Sequence, residues 1–173
     1  SVMVVIPTIA AEFHMSNIVQ NWAIIIFLLV VAVLSVPAGQ ISGKYGLKKV
    51  TIISVILFIL ISIANVLVTS SEQFLLCRLV LGIALSFFNV TSMAMVVSAF
   101  KPEERGKALG ITITGVYIAL SLAPVLGGVL NYQLGWRSVV LFGVPFLLVI
   151  LALLLTKVDE EWVTFEGVPL DVK

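Results

Sequence analysis

One cysteine, Cys77, and one histidine, His14, are all that the 173 residues hold of each. An intrachain disulfide, a cysteine-built metal site and a histidine cluster are thereby excluded. Charge is scarce as well: Asp, Glu, Lys and Arg make up 11% of the chain, against about 25% in a soluble domain. Ten basic and nine acidic side chains leave a formal charge of +1, so no global attraction to nucleic acid or another polyanion is available. The apolar stretches contain no glycine-rich phosphate loop, nucleophile elbow or carboxylate pair, which argues against an enzyme. Nothing in the chain calls for a cofactor or a metal. What remains is hydrophobic, 61% of all residues, and a water-soluble globule cannot be built from that proportion.

The spacing between charges carries the organisation. Met15 to Gly43 is a run of 29 residues without Asp, Glu, Lys or Arg, followed by runs of 22 from Val50 to Ser71 and 22 from Leu79 to Phe100. Ala108 to Trp136 adds 29 and Ser138 to Thr156 adds 19. A hydrocarbon core of about 30 Å needs about 20 helical residues, so each run suffices to cross it. The runs lack the alternation of barrel strands, and helices are the other backbone that satisfies itself in lipid. The expected class is an all-α membrane protein with spans near 21–40, 50–70, 74–99, 108–130 and 138–156. Residues 1–11 are apolar but too short, and lack the basic flank and cleavage site of a signal peptide; they read as the end of a truncated first helix. Residues 157–173, with Asp159-Glu160-Glu161 and Gly167-Val168-Pro169, read as the start of a linker.

Short connections make neighbouring spans antiparallel, and the basic residues then orient them. Loop 39–49 holds Lys44, Lys48 and Lys49, loop 100–107 holds Lys101, Arg105 and Lys107, and Lys157 follows the last span. The opposite side has one basic residue, Arg137, beside Glu12, His14 and Glu72. Seven against one places both loops and the C-terminal segment in the cytoplasm of a multi-pass cell-membrane protein. Trp22 and Trp136 fall at the opposite ends of their helices, as interfacial anchors do.

Helical projection marks the faces turned inward. Arg78, Gly82, Leu85, Asn89, Ser92 and Val96 share one line of span four, with Ser86 further round. Ser54, Ser62 and Asn65 gather on one side of span three. Polar groups facing acyl chains cost free energy, so both stripes should face a bundle interior or a wet cavity, with Asn65, Ser86 and Asn89 as candidate lining residues. Arg78 is the one charged side chain inside a full span; its alternative role is a snorkelling arginine that reaches the nearer interface. Span five carries Gly115, Ala119, Ala123 and Gly127 at intervals of four, a ladder for close helix approach, with Pro124 bending it just before Gly127-Gly128.

Three stretches, read in order, resemble the major facilitator superfamily. Gly39-Gln40-Ile41-Ser42-Gly43-Lys44-Tyr45-Gly46-Leu47-Lys48-Lys49 is similar to its signature loop between helices two and three. Two positions depart: Gly43 stands where the family has an aspartate, and Leu47 where a basic residue is usual. Arg78 followed by Gly82 resembles the fourth-helix pattern, with Leu81 replacing a common glutamine. Ala119 to Gly128, with Ala119 and Ala123 where glycines are usual, resembles the fifth-helix motif of the drug/proton antiporter branch. Ile6-Pro7-Thr8-Ile9-Ala10, the segment 100–108, Gly135-Trp136-Arg137-Ser138 and Val144-Pro145 are similar to the multidrug subgroup that often has fourteen spans.

The resemblance implies the N-terminal six-helix bundle of a major facilitator fold, two inverted three-helix repeats that rock against a C-terminal half of the same transporter. It implies proton-coupled export of hydrophobic or amphipathic small molecules, with Arg78 in coupling. The gating loop would comprise Gly39, Gly43, Lys44, Gly46, Lys48 and Lys49, and span five would pack against the other half. The partners implied are the bilayer, that C-terminal half, a small-molecule substrate and protons. Proton carriage normally uses a buried carboxylate; none occurs within spans two to six, and the expected source is the missing start of helix one. Metabolite uptake through the same fold is the alternative, and a non-transporting membrane subunit or sensor, suggested by the lost aspartate, is a third reading.

Overall fold

The computed structural model describes residues 2–158; the proposed linker, apart from its first two residues, lies outside them. Seven α-helices make up the described chain: α1 (Val2–Glu12), α2 (Asn17–Tyr45), α3 (Leu47–Val66), α4 (Ser71–Ala99), α5 (Pro102–Leu134), α6 (Trp136–Leu141) and α7 (Val144–Thr156). The spans Asn17–Tyr45, Leu47–Val66, Ser71–Ala99, Pro102–Leu134 and Trp136–Thr156 are each long and apolar enough to cross a bilayer, and the chain is a multi-pass membrane protein.

Local chemistry explains the helix ends. Ser16 and Ser70 cap α2 and α4, each hydroxyl accepting a backbone N–H three residues on, from Val19 and Gln73 at 3.4 Å. Pro102 begins α5, where its missing N–H costs nothing, and Glu103 and Glu104 complement the helix dipole in the first turn. Gly135, at φ +80°, closes α5 by donating to the Asn131 carbonyl at 3.1 Å, and α6 begins at the next residue.

The helices overrun the apolar spans, which corrects the two basic loops. Residues 39–45 continue α2 and 47–49 begin α3, so the expected loop shrinks to a corner at Gly46. Likewise 102–107 form the first turns of α5. Charge ends a hydrocarbon span but not a helix, because Lys, Arg and Glu are good helix formers in water. The last span breaks at Phe142–Gly143 into α6 and α7, with Pro145 in the first turn of α7.

Two apolar clusters hold the bundle together. At one end Val5, Ile9 and Ala10 of α1, Ala23 of α2, Phe74 of α4 and Trp136, Val139 and Val140 of α6 pack with Met15 and Val68. Nearer the other end Val55 and Ile59 of α3 meet Leu154 of α7, with Phe88 and Met95 of α4 against them. α5 buries only Gly127 among its residues, and α2 leaves Ile25, Leu29, Val33 and Val36 exposed. Such an apolar exterior suits acyl chains or other transmembrane helices.

Candidate functional site

Many hydroxyls in the spans bond their own helix. Ser35, Thr51, Ser54, Thr112 and Ser121 each donate to the carbonyl four residues earlier, at 2.6–2.9 Å, and Ser86 donates to Ile83 O at 2.8 Å. A hydroxyl bonded to its own helix needs nothing more from its surroundings. Among the described residues, buried side-chain nitrogens and oxygens without a protein partner belong only to Asn65, Arg78 and Asn131. That short set separates groups that demand a ligand, water or partner from groups that merely look polar in projection.

Arg78 is the sharpest of them. It is 5% exposed on α4, and Nε and Nη2 meet no acceptor. Its guanidinium carbon stands 4.8 Å from the ring centroid of Phe74 and 5.9 Å from that of Phe27 on α2. Facing rings attract a cation by about 0.5–2 kcal/mol, well short of what burying an unpaired charge costs. The side chain lies buried between α2 and α4. One turn on, Gly82 explains how the two helices come so close: a Cβ there would stand 3.1 Å from Phe27 O and from Val30. The arginine and the glycine thus form one device, a charge held where α4 presses on α2.

The polar stripe of α4 divides along its length. Arg78 and Gly82 are buried, whereas Asn89 is exposed and Ser92 is half-buried. Ser86 and, on α3, Ser54, Ser62 and Asn65 are sealed inside the bundle. Of the three lining candidates only Asn89 is exposed. Asn65 leaves both amide atoms without a protein partner at 0% exposure.

The residues expected to gate lie around a one-residue corner. Gly46 takes φ +99° and ψ 131°; its N–H donates to Ser42 O at 3.0 Å and its carbonyl accepts from Val50 at 3.2 Å. Gly43 is buried, Lys44 and Lys48 are half-buried and Lys49 is exposed. A Cβ on Gly39 would make ordinary contact with Val90 of α4 at 3.7 Å. On α5, Gly115, Ala119 and Pro124 are exposed, Ala123 and Gly128 are half-buried and Gly127 is buried. A Cβ on Gly115 or Gly128 would meet nothing within 4 Å, so the Gly115–Ala119 half of the ladder is uncovered while Gly127 is packed in the described bundle.

At the end opposite the lysines the structure assembles a group that sequence reading kept apart. Glu12 accepts from Trp136 Nε1 and from Arg137 Nη1, the latter at 2.9 Å, while Arg137 Nε donates to Val66 O at 3.0 Å. The guanidinium carbon of Arg137 lies 4.5 Å from the Trp136 ring centroid, and Phe13 meets that indole edge-on. Trp136 is consequently a packed core residue and not a surface anchor. The Trp136 hydrogen bond holds the Glu12 carboxyl below the usual carboxylate range; partial burial opposes this and Arg137 assists it. The available signal was that this side has one basic residue and an acid outside the apolar runs.

The family model described as the Major Facilitator Superfamily matches residues 1–166. Two similar proteins are from Mycobacterium tuberculosis (strain CDC 1551 / Oshkosh). The drug efflux pump JefA is 31% identical over 92% of this chain and 32% of its own length, and the multidrug resistance protein Stp is 32% identical over 92% and 30%. The riboflavin transporter RibZ of Clostridioides difficile (strain 630) is 27% identical over 80% of this chain and 30% of its own length. The chain spans about a third of the length of the curated relatives it matches.

Proposed function

Since the chain belongs to the Major Facilitator Superfamily, we propose that it forms the N-terminal half of a proton-coupled exporter of hydrophobic or amphipathic small molecules. The observation that carries this reading is Arg78, a charge sealed between α2 and α4 with two nitrogens that no protein acceptor serves. Such a charge costs several kcal/mol unless something compensates it. A carboxylate from the remainder of the transporter fits that requirement: ionised, it pairs with Arg78; protonated, it releases the arginine. An exchange of this kind couples a proton to helix packing, because Arg78 sits one turn from the Gly82 contact with α2.

In this reading the Lys44–Lys49 corner and the start of α5 face the cytoplasm, by the excess of basic residues at that end. The uncovered Gly115–Ala119 part of the α5 ladder serves as a surface for the other half of the transporter. The names of JefA and Stp favour drugs as cargo. RibZ favours a second reading, movement of a vitamin-like metabolite by the same architecture.

Everted membrane vesicles containing the full-length protein separate these readings. Acidification of the lumen should drive uptake of an amphipathic dye such as ethidium, Arg78→Ala should abolish it, and Arg78→Lys should retain a fraction. Undiminished dye transport in Arg78→Ala overturns the coupling role. Transport of riboflavin with no dye movement selects the second reading.

A further inference from the structure

Phe27 takes part twice in the contact between α2 and α4. Its ring centroid stands 5.9 Å from the guanidinium carbon of Arg78, and its carbonyl oxygen would lie 3.1 Å from a Cβ on Gly82, one turn further along α4. The residue that turns an aromatic face to the charge is thus also the one on which α4 rests, so the ring cannot slide off the guanidinium without opening the Gly82 contact. Phe74 supplies a second face at 4.8 Å from the turn before Arg78, and it is fully buried in the cluster with α1 and α6. Phe27 is half-buried and belongs to the other helix. Competing charge is scarce on every element packed against α4. α2 has no charged side chain from Asn17 to Gly43, α3 none from Val50 to Val66 and α5 none from Ala108 to Leu134. On α4 itself the Cys77 thiol is the neighbour in sequence, while Glu72 projects from another face at 100° per residue. Glu12 of α1 is engaged by Trp136 and Arg137.

Resting on the coupling role of Arg78 in the proposed function, we propose that Phe27 is its positioning residue. When the coupling carboxylate is protonated and gives up the arginine, the Phe27 ring, with that of Phe74, keeps the guanidinium at the α2–α4 contact. A ring face attracts a full cation more than one already neutralised by a carboxylate, so this contact favours the released state over the paired one and eases protonation. Removing the ring raises the free energy of the released charge, and a higher proton concentration is then needed to reach that state.

Dye uptake by everted vesicles containing the full-length protein, followed against lumen pH at fixed external pH, tests this. Phe27→Leu should move the half-maximal lumen pH acidward by about 0.5 pH unit, a roughly threefold loss of proton affinity, and Phe27→Tyr should keep the wild-type midpoint. A ring-fluorinated phenylalanine introduced at Phe27 keeps the shape of the ring and withdraws electron density from its face. It should shift the midpoint in the same direction, and it decides the matter should Phe27→Leu fail to fold. An unshifted midpoint in the fluorinated protein or in Phe27→Leu, or an equal shift in Phe27→Tyr, overturns the positioning role and leaves coupling by Arg78 standing if Arg78→Ala has lost transport. Undiminished transport in Arg78→Ala overturns both.

Discussion

Gly46 shows how much a single residue decides in this bundle. Its φ of +99° lies where L side chains rarely go, and the corner it makes joins two long helices without a spacer. Gly46→Ala should cost about 1–3 kcal/mol from backbone strain, read as a lower thermal midpoint in detergent; an unchanged midpoint would show that the corner relaxes. Polar residues sort at the same scale. Ser35, Thr51 and Ser54 bond their own helices, so they carry no demand, whereas Asn65 and Arg78 do. Helical projection distinguished the faces of α3 and α4 but not these two kinds of polarity, because hydrogen bonding to a carbonyl one turn back depends on the side chain's rotamer. The covering of Arg78 by Phe27 likewise depends on how α2 crosses α4, which no spacing in one helix reveals.

Elements meet through a few such contacts. The clasp of Glu12, Trp136 and Arg137 ties the end of α1 to the start of α6 and, through Val66 O, to the end of α3. The Glu12–Arg137 pair is 40% exposed on both sides, so its own contribution is about 0.5–1 kcal/mol. Glu12→Gln should lower stability by about that amount. The carboxyl is held below its ordinary value in the folded state, so its stabilisation is present above the unfolded-state value, near 4.3. It is lost as pH falls through the lower folded value. Wild-type protein should therefore lose stability in that acid window relative to Glu12→Gln, measured by thermal melting at stepped pH. A difference between the two that does not change with pH would remove the carboxylate from the clasp. Glu12 and Arg137 were legible as one of two acids and the lone base of one side, but their meeting requires α1 and α6, distant in the chain, to be neighbours.

Over the whole molecule, antiparallel succession gathers the ends of α2 and α4 and the starts of α3 and α5 at one end of the bundle. Lys48 and Lys107 should accordingly face one compartment. In a Cys77→Ser background, Lys48→Cys and Lys107→Cys should both escape an impermeant thiol reagent in intact cells and react with it only after permeabilisation. Labelling of one from outside and the other from inside would break the topology. The amino-acid sequence alone determined that the chain is all-helical and that it is a multi-pass membrane protein. Those properties follow from hydrocarbon thickness and helical period, and both act locally. Tertiary structure decided that the basic corner shrinks to Gly46, that Trp136 is core, and that Arg78 is sealed and Asn89 open. Each of these depends on the distance and angle between helices, which side-chain packing sets and hydropathy does not encode.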